Sequence, residues 1–320
     1  DCRGTRDNDL GCCGHQHLTT KASVDPWAPR CGTTGDNLGA HWHSHHMTQR
    51  PELGSSVIAN GIRTNYLHQG AGKPVVLVHG SGPGVSAYSN WRLTIPALAA
   101  EFEVFAPDML GFGFTERPAH AQYTMDTWVE HLIGFLDAMG IDRAHLVGNS
   151  FGGGLALRTA ATYPDRVSDL VLMGSVGSPF TITDGLDAVW GYQPSVENMK
   201  ALLGVFAYNT TIATDELAEL RYRASIEPGV QEAFSSMFPE PRQNSVDAMV
   251  TSDQRLRALP HRTLIVHGRE DKVIPVACSV HLLNTIPRSQ LHVFGHCGHW
   301  TQIEYAAEFN GLLLNFLTRL

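Results

Sequence analysis

The chain has 320 residues, 43% of them hydrophobic and 17% charged, enough apolar mass for one large core with a smaller cap. Its net charge of -8 leaves no basic stripe to displace counterions, which argues against a nucleic-acid partner. No apolar run reaches the roughly 18 residues of a membrane-spanning helix, and no N-terminal stretch reads as a signal peptide.

Residues 1–46 are rich in Gly, Thr, Asp and His and lack apolar periodicity. They read as a disordered or extraneous leader, with Met47 as the natural start. Cys12, Cys13, His15 and His17, and the histidines of His41–His46, lack the paired spacing of a zinc site, so no metal is expected. Four of the six cysteines (Cys2, Cys12, Cys13, Cys31) fall in this leader. Only Cys278 and Cys297 remain in the body, which suits a reducing, cytoplasmic compartment better than a disulfide framework.

From Ser56 onward strands and helices alternate, which predicts a mostly parallel sheet covered on both faces. Eight strands are expected: Val57–Ala59, Thr64–His68, Val75–His79, Val104–Pro107, His145–Gly148, Leu170–Gly174, Thr263–His267 and Gln290–Phe294. The unbroken apolar runs Val75–Val78 and Leu264–Val266 suit central strands buried on both sides. Helices are expected at Trp91–Ala100, Thr124–Met139, Phe151–Tyr163, Val276–Thr285 and Ile303–Leu317. Alternation stops near Ser178. Residues 178–250 read as short helices broken at Pro179, Pro194, Pro228, Pro239 and Pro241, an insertion after the sixth strand. It divides a core of residues 47–177 and 251–320 and is placed to form a lid over the sheet's C-terminal edge.

The pentapeptide Gly148-Asn149-Ser150-Phe151-Gly152 joins an apolar strand to a helix-forming stretch. It resembles the nucleophile elbow of the α/β-hydrolases, in which a strained turn presents a serine and glycines let the helix pass close to the strand. An acyl-transfer serine needs an acid and a base, in the chain order Ser, acid, His. Asp271 and Glu270, in the loop after the seventh strand, both qualify as the acid; Asp271, nearest the turn, is the choice, though either could instead cap the helix after Pro275. His299 is the expected base, on the Gly-flanked loop before the last helix. His292 lies within a strand and His296 too close to its end. The oxyanion hole would use the N–H groups of Phe151 and, from the loop His79–Gly84, of Ser81. That loop lacks the Lys-Ser/Thr of a phosphate-binding P-loop.

With these residues in place, the chain from about Pro51 to Leu317 resembles the meta-cleavage product hydrolases, most nearly their 2-hydroxymuconate semialdehyde branch. The similarity runs through His79–Gly84, Ala87–Trp91, Ala106–Phe112, Val147–Gly154, Ile182–Tyr192, Asp215–Tyr222 and Cys297–Trp300, and so includes the lid. The resemblance implies an α/β-hydrolase fold and cleavage of the C5–C6 bond of a 2-hydroxy-6-oxo-2,4-dienoate, with no metal or organic cofactor and association as a dimer or larger. It further implies that Arg221 holds the substrate carboxylate and that Asn149, Asn90 and Trp300 line the polar end of the pocket. A carboxylesterase and a non-enzymatic ligand-binding homologue are the competing readings, since fold alone does not settle function.

Overall fold

The computed structural model describes residues 50–319. Residues 1–46, with their Cys/His cluster and four cysteines, lie outside the described residues. The first half runs β1 (Ser55–Ala59), β2 (Ile62–Gln69), β3 (Lys73–Val78), α1 (Ala87–Trp91), α2 (Ile95–Leu98), β4 (Phe102–Pro107), α3 (Met125–Ala138), β5 (Ala144–Asn149), α4 (Phe151–Thr162) and β6 (Val167–Met173). A run of helices follows: α5 (Asp184–Trp190), α6 (Val196–Phe206), α7 (Asp215–Ser225), α8 (Val230–Met237) and α9 (Gln243–Ala248). The chain then returns through α10 (Asp253–Arg257), β7 (Thr263–Gly268), α11 (Val276–Thr285), β8 (Ser289–Phe294), α12 (Thr301–Glu304) and α13 (Ala306–Leu317).

The eight strands form one sheet in the order β1-β2-β4-β3-β5-β6-β7-β8. β1 and β2 make a hairpin across Asn60 and Gly61, both at positive φ as a tight hairpin turn requires, and β2 pairs antiparallel with β4. Every other pairing is parallel. The fold is therefore the expected α/β-hydrolase fold: an eight-stranded, mostly parallel sheet with helices inserted after the sixth strand. Both faces are covered. On one, Trp128, Leu132, Phe135 and Leu155 of α3 and α4 pack in a core that extends into the inserted helices. On the other, Trp91, Leu98, Phe309 and Leu313 of α1, α2 and α13 close the sheet. Helix α3 shows why: Thr124 caps its first turn by accepting from Thr127 N, and its buried residues recur at helical spacing from Met125 through Trp128, Leu132 and Leu136.

Two expected helices are each broken in two. Of Trp91–Ala100 only Ile95–Leu98 forms a helix of its own, α2, while Trp91 ends α1, which begins at Ala87; in the turn between them Thr94 N donates to Trp91 O, and Pro96 stands in the first turn of α2, where no N–H is needed. Ile303–Leu317 divides at Tyr305, whose backbone (φ −126°, ψ 46°) leaves the helical region while its hydroxyl donates to Gly295 O. Tertiary hydrogen bonds accompany both breaks: the one from the Tyr305 hydroxyl, and one from Asn310 Nδ2 of α13 to Leu93 O in the turn between α1 and α2. The prolines of residues 178–250 fall between α5–α9 or just before them, as their missing N–H requires. Among the described residues no helix is long and apolar enough to cross a membrane. The loops leaving the C-terminal ends of β3, β5, β7 and β8 carry Ser81, Ser150, Asp271 and His299, at the edge where open α/β sheets bind ligands.

Candidate active site

Ser150 sits between β5 and α4 at φ 56°, ψ −116°, a conformation costly for a residue with a Cβ. The surroundings hold it there. Its N–H donates to Met173 O of β6, and its carbonyl accepts from the N–H groups of Gly153 and Gly154. Gly152 is confined to glycine because a Cβ would lie 2.2 Å from Val78 O and 2.4 Å from His79 O, both rigid backbone. Phe151 is fully buried at the first position of α4, its ring edge-on to Trp128 at 4.6 Å. The first N–H groups of a helix have no intrahelical partner, so the start of α4 presents partial positive charge beside Ser150.

Asp271 and His299 meet at 2.7 Å, Oδ2 to Nδ1, and both are buried. Oδ1 accepts from the N–H groups of Val273 and Ile274 at 2.7 and 2.9 Å. Burial works to raise the Asp271 pKa, but His299 and then His267 outweigh it and hold the carboxyl well below its usual range. A carboxylate at Nδ1 fixes the imidazole with that nitrogen protonated and leaves Nε2 as a base. His267, at the end of β7, stands 3.3 Å from the same Oδ2 through its Nε2, which is also 2.9 Å from Ile274 O. A carbonyl only accepts, so Nε2 carries a hydrogen toward Ile274 O, and Nδ1 is hydrogen-bonded to Ser279 Oγ at 2.6 Å. Of the two adjacent carboxyls weighed from sequence, Asp271 is the one that reaches His299. Glu270 accepts from Cys297 N and pairs with Arg269. His296 is exposed beside Tyr208, and His292 lies in β8.

Two contributors to this geometry were not legible in the sequence. Gly174, following β6 at φ 49°, is where a Cβ would come within 3.1 Å of His299 Nδ1 and 3.2 Å of Asp271 Oδ2, so a bare position makes room for the pair. The strand pattern places His267 only at the end of a strand, and its spacing of four residues from Asp271 does not by itself show that the two side chains meet.

Ser81, Asn90, Asn149, Arg221 and Trp300 line one pocket with Ser150 and His299, while Asp271 and Phe151 stand behind its wall. Leu186, Val189 and Phe206 of the inserted helices, with Val273, supply its apolar side. Asn90 Oδ1 accepts from both Gly80 N and Asn149 Nδ2. The remaining amide atoms, Asn90 Nδ2 and Asn149 Oδ1, are buried without a partner among the described residues. Trp190 Nε1 of α5 donates to Ser81 Oγ at 3.0 Å, and Trp300 stacks on Phe206 at 4.9 Å. Arg221, on α7, donates to Pro83 O. Burial, then the nearby Arg92, lower its pKa to about 10, so it stays a cation at neutral pH. Behind the loop, His79 Nδ1 donates to Gly80 O and its Nε2 accepts from Met109 N. Asp108 accepts from Ala87 N at the start of α1, from Asn65 Nδ2 and from Phe114 N, so it anchors the helix that carries Asn90.

The strand–serine–helix turn on this sheet defines an α/β hydrolase, and residues 73–306 match the alpha/beta hydrolase fold family. The chain is 58% identical over 267 residues to the 2-hydroxymuconate semialdehyde hydrolase of Pseudomonas sp. strain CF600, covering 83% of this chain and 94% of that one. It is 35% identical to the 2-hydroxy-6-oxo-6-phenylhexa-2,4-dienoate hydrolase of Burkholderia cepacia, over 81% of this chain and 92% of that one. A solved meta-cleavage product hydrolase from Pseudomonas fluorescens IP01 superposes with a TM-score of 0.83 at 58% identity, covering 84% of this chain and 98% of that one. The chain thus belongs, within the α/β hydrolases, to the family of meta-cleavage product hydrolases.

Proposed function

We propose that the chain hydrolyses the C5–C6 bond of 2-hydroxy-6-oxo-2,4-dienoates, giving 2-hydroxypenta-2,4-dienoate and a small carboxylic acid. The observation that carries this reading is one pocket lined by Ser150, His299, a half-buried cation and an unmatched amide donor and acceptor. Arg221 offers a planar, bidentate site for the dienoate carboxylate. Asn90 Nδ2 and Asn149 Oδ1 gain partners only when a polar ligand or water arrives, and Trp300 closes the same end. Carbon is a poor leaving group, so the dienol first ketonises: the 2-hydroxyl proton leaves and C5 gains one, with His299 as the shuttle. The resulting 2-oxo-3-ene accepts the electron pair of the C5–C6 bond. Ser150, or water activated by His299, adds to the C6 carbonyl, and the oxyanion is held by the N–H groups of Phe151 and Ser81. Collapse breaks C5–C6, delivers the pair into the dienolate and leaves the acyl fragment for water.

The inserted helices act in this reading as a lid over residues 47–177 and 251–320. A hydrogen, methyl or ethyl group at C6 is preferred over phenyl, in keeping with the higher identity to the semialdehyde hydrolase than to the phenylhexadienoate hydrolase. The enzyme works in the cytoplasm as a homo-oligomer; Cys278 and Cys297, both free and buried, suit a reducing compartment. The test is bleaching of the yellow ring-fission products of catechol, 3-methylcatechol and 2,3-dihydroxybiphenyl. Ser150→Ala should bind the dienoate but lose at least about 10³-fold in turnover. Near-native turnover in that variant would sink the reading, and light scattering would test the assembly.

A further inference from the structure

The loop that carries His299 is held by an uninterrupted series of acceptors on its backbone. Cys297 N donates to Glu270 Oε2 at 3.0 Å and Gly298 N to Glu304 Oε1 at 2.8 Å. His299 N and Trp300 N both donate to Phe206 O, at 2.7 and 3.2 Å. Phe206 is the last residue of α6, so an inserted helix ends its carbonyl series on the two residues that line the pocket from β8's loop. The second oxygen of Glu304 completes the link: Oε2 accepts from Asn209 N, three residues beyond Phe206, at 2.8 Å. One carboxylate on α12 therefore bridges the backbone of the insert and the backbone of the His299 loop. Phe206 adds its ring, stacked on Trp300 at an interplanar angle of 11°.

We propose that Glu304 is a positioning residue that locks the inserted helices to the His299 loop, so that the lid and the catalytic base move as one piece. The inference rests on the reading of His299 as the base. The chemistry suits the role. A carboxylate offers two acceptor oxygens on one rigid plane, and hydrogen bonds to an ionised acceptor are roughly twice as strong as neutral ones. An amide of the same shape keeps one acceptor but turns an NH₂ toward a backbone N–H, so one of the two links must break. When the insert shifts to admit substrate, Phe206 O and the Glu304 carboxylate bonded to Asn209 N draw the Gly298–Trp300 backbone with it, so His299 is in place only as the pocket shuts. Water reaching an open site would then meet an unaligned base.

The experiment compares Glu304→Gln and Glu304→Asp with the parent protein. For Glu304→Gln, kcat should fall about tenfold to an equal degree on the dienoate and on a neutral nitrophenyl ester, because the loss acts through His299 and not through a substrate contact. Amide hydrogen exchange should quicken together in the segments around 206–212 and 296–301, with the segment around 145–152 unchanged. Glu304→Asp, which keeps the charge on a shorter arm, should recover part of the loss. If Glu304→Gln fails to fold, Asn209→Pro removes only the insert's donor, with Asn209→Ala as the control for the cap that Asn209 places on Thr211 N. In that pair, faster exchange at 296–301 in the proline variant alone supports the link. Exchange that rises on one side only, or kcat kept within twofold while the melting temperature drops, overturns the proposal and leaves Glu304 a local cap. The exchange readout judges the link even if Ser150→Ala disproves the proposed chemistry.

Discussion

Both oxygens of Asp271 are committed to protein donors: two backbone N–H groups at Oδ1, and His299 and His267 at Oδ2. That arrangement keeps the carboxylate ionised in a buried site and orients the imidazole it faces. Asp271→Asn should cut kcat by about four orders of magnitude with a small change in KM, since the amide can hold His299 in the wrong tautomer. His267→Leu should cost about tenfold in kcat, the worth of one hydrogen bond to a charged group at the long end of its range. Steady-state kinetics decide both; equal effects from the two variants would mean that His267 and Asp271 act as one unit. The sequence led to Ser150, Asp271 and His299 because each occupies a loop at a known place in chain order. It could not lead to Gly174 or Glu304, whose parts depend on approaches across the fold between segments far apart in the chain.

At the scale of elements, alternation and apolar runs were enough to place all eight strands; strands buried on both faces, such as β5 and β7, leave little ambiguity in composition. The two broken helices escaped because their breaks answer to partners elsewhere, such as Gly295 O for the Tyr305 hydroxyl. The elbow is the tightest junction between elements. Gly152→Ala would drive a Cβ into the β3 backbone at 2.2 Å, and overpacking against atoms that cannot rotate away should destabilise by about 3 kcal/mol or more. Urea denaturation measures this; a loss under about 1 kcal/mol would mean that α4 can shift away from β3. Helix α7 makes a different contribution, through Arg221. Arg221→Leu should raise KM and lower kcat for the dienoate, with far less effect on a neutral nitrophenyl ester. Equal losses on both substrates would identify Arg221 as a structural residue tied to Pro83 O.

For the molecule as a whole, two buried histidines set a dependence of stability on acid. His79 and His131 both have pKa values lowered to about 4, chiefly by burial. Their hydrogen bonds explain why a second proton is refused. In His79, Nδ1 donates to Gly80 O and Nε2 accepts from Met109 N, so a proton on Nε2 would face another donor. In His131, Nδ1 accepts from Leu110 N and Nε2 donates to Thr64 Oγ1, whose own hydroxyl donates to Ile62 O. The unfolded chain protonates both near pH 6.5. Depressed pKa values mean that their stabilising contribution is present above that pH and is lost as the pH falls through 6.5 toward 4. Asp108, raised to about 6 by burial, works the other way: its contribution is present below its unfolded value and lost as the pH rises through 6. His261, whose pKa burial also lowers, adds to the two imidazoles, so against one carboxyl the net effect of acidification from pH 6.5 to 4 is a loss of stability. The melting temperature should therefore decline steadily across that interval, before the bulk of the carboxylates titrate. His131→Gln supplies an acceptor for Leu110 N that does not titrate, so its melting temperature should fall less steeply over the same range. A parallel decline in parent and variant would show that His131 becomes protonated in the folded protein without penalty, through rearrangement of the Leu110 backbone.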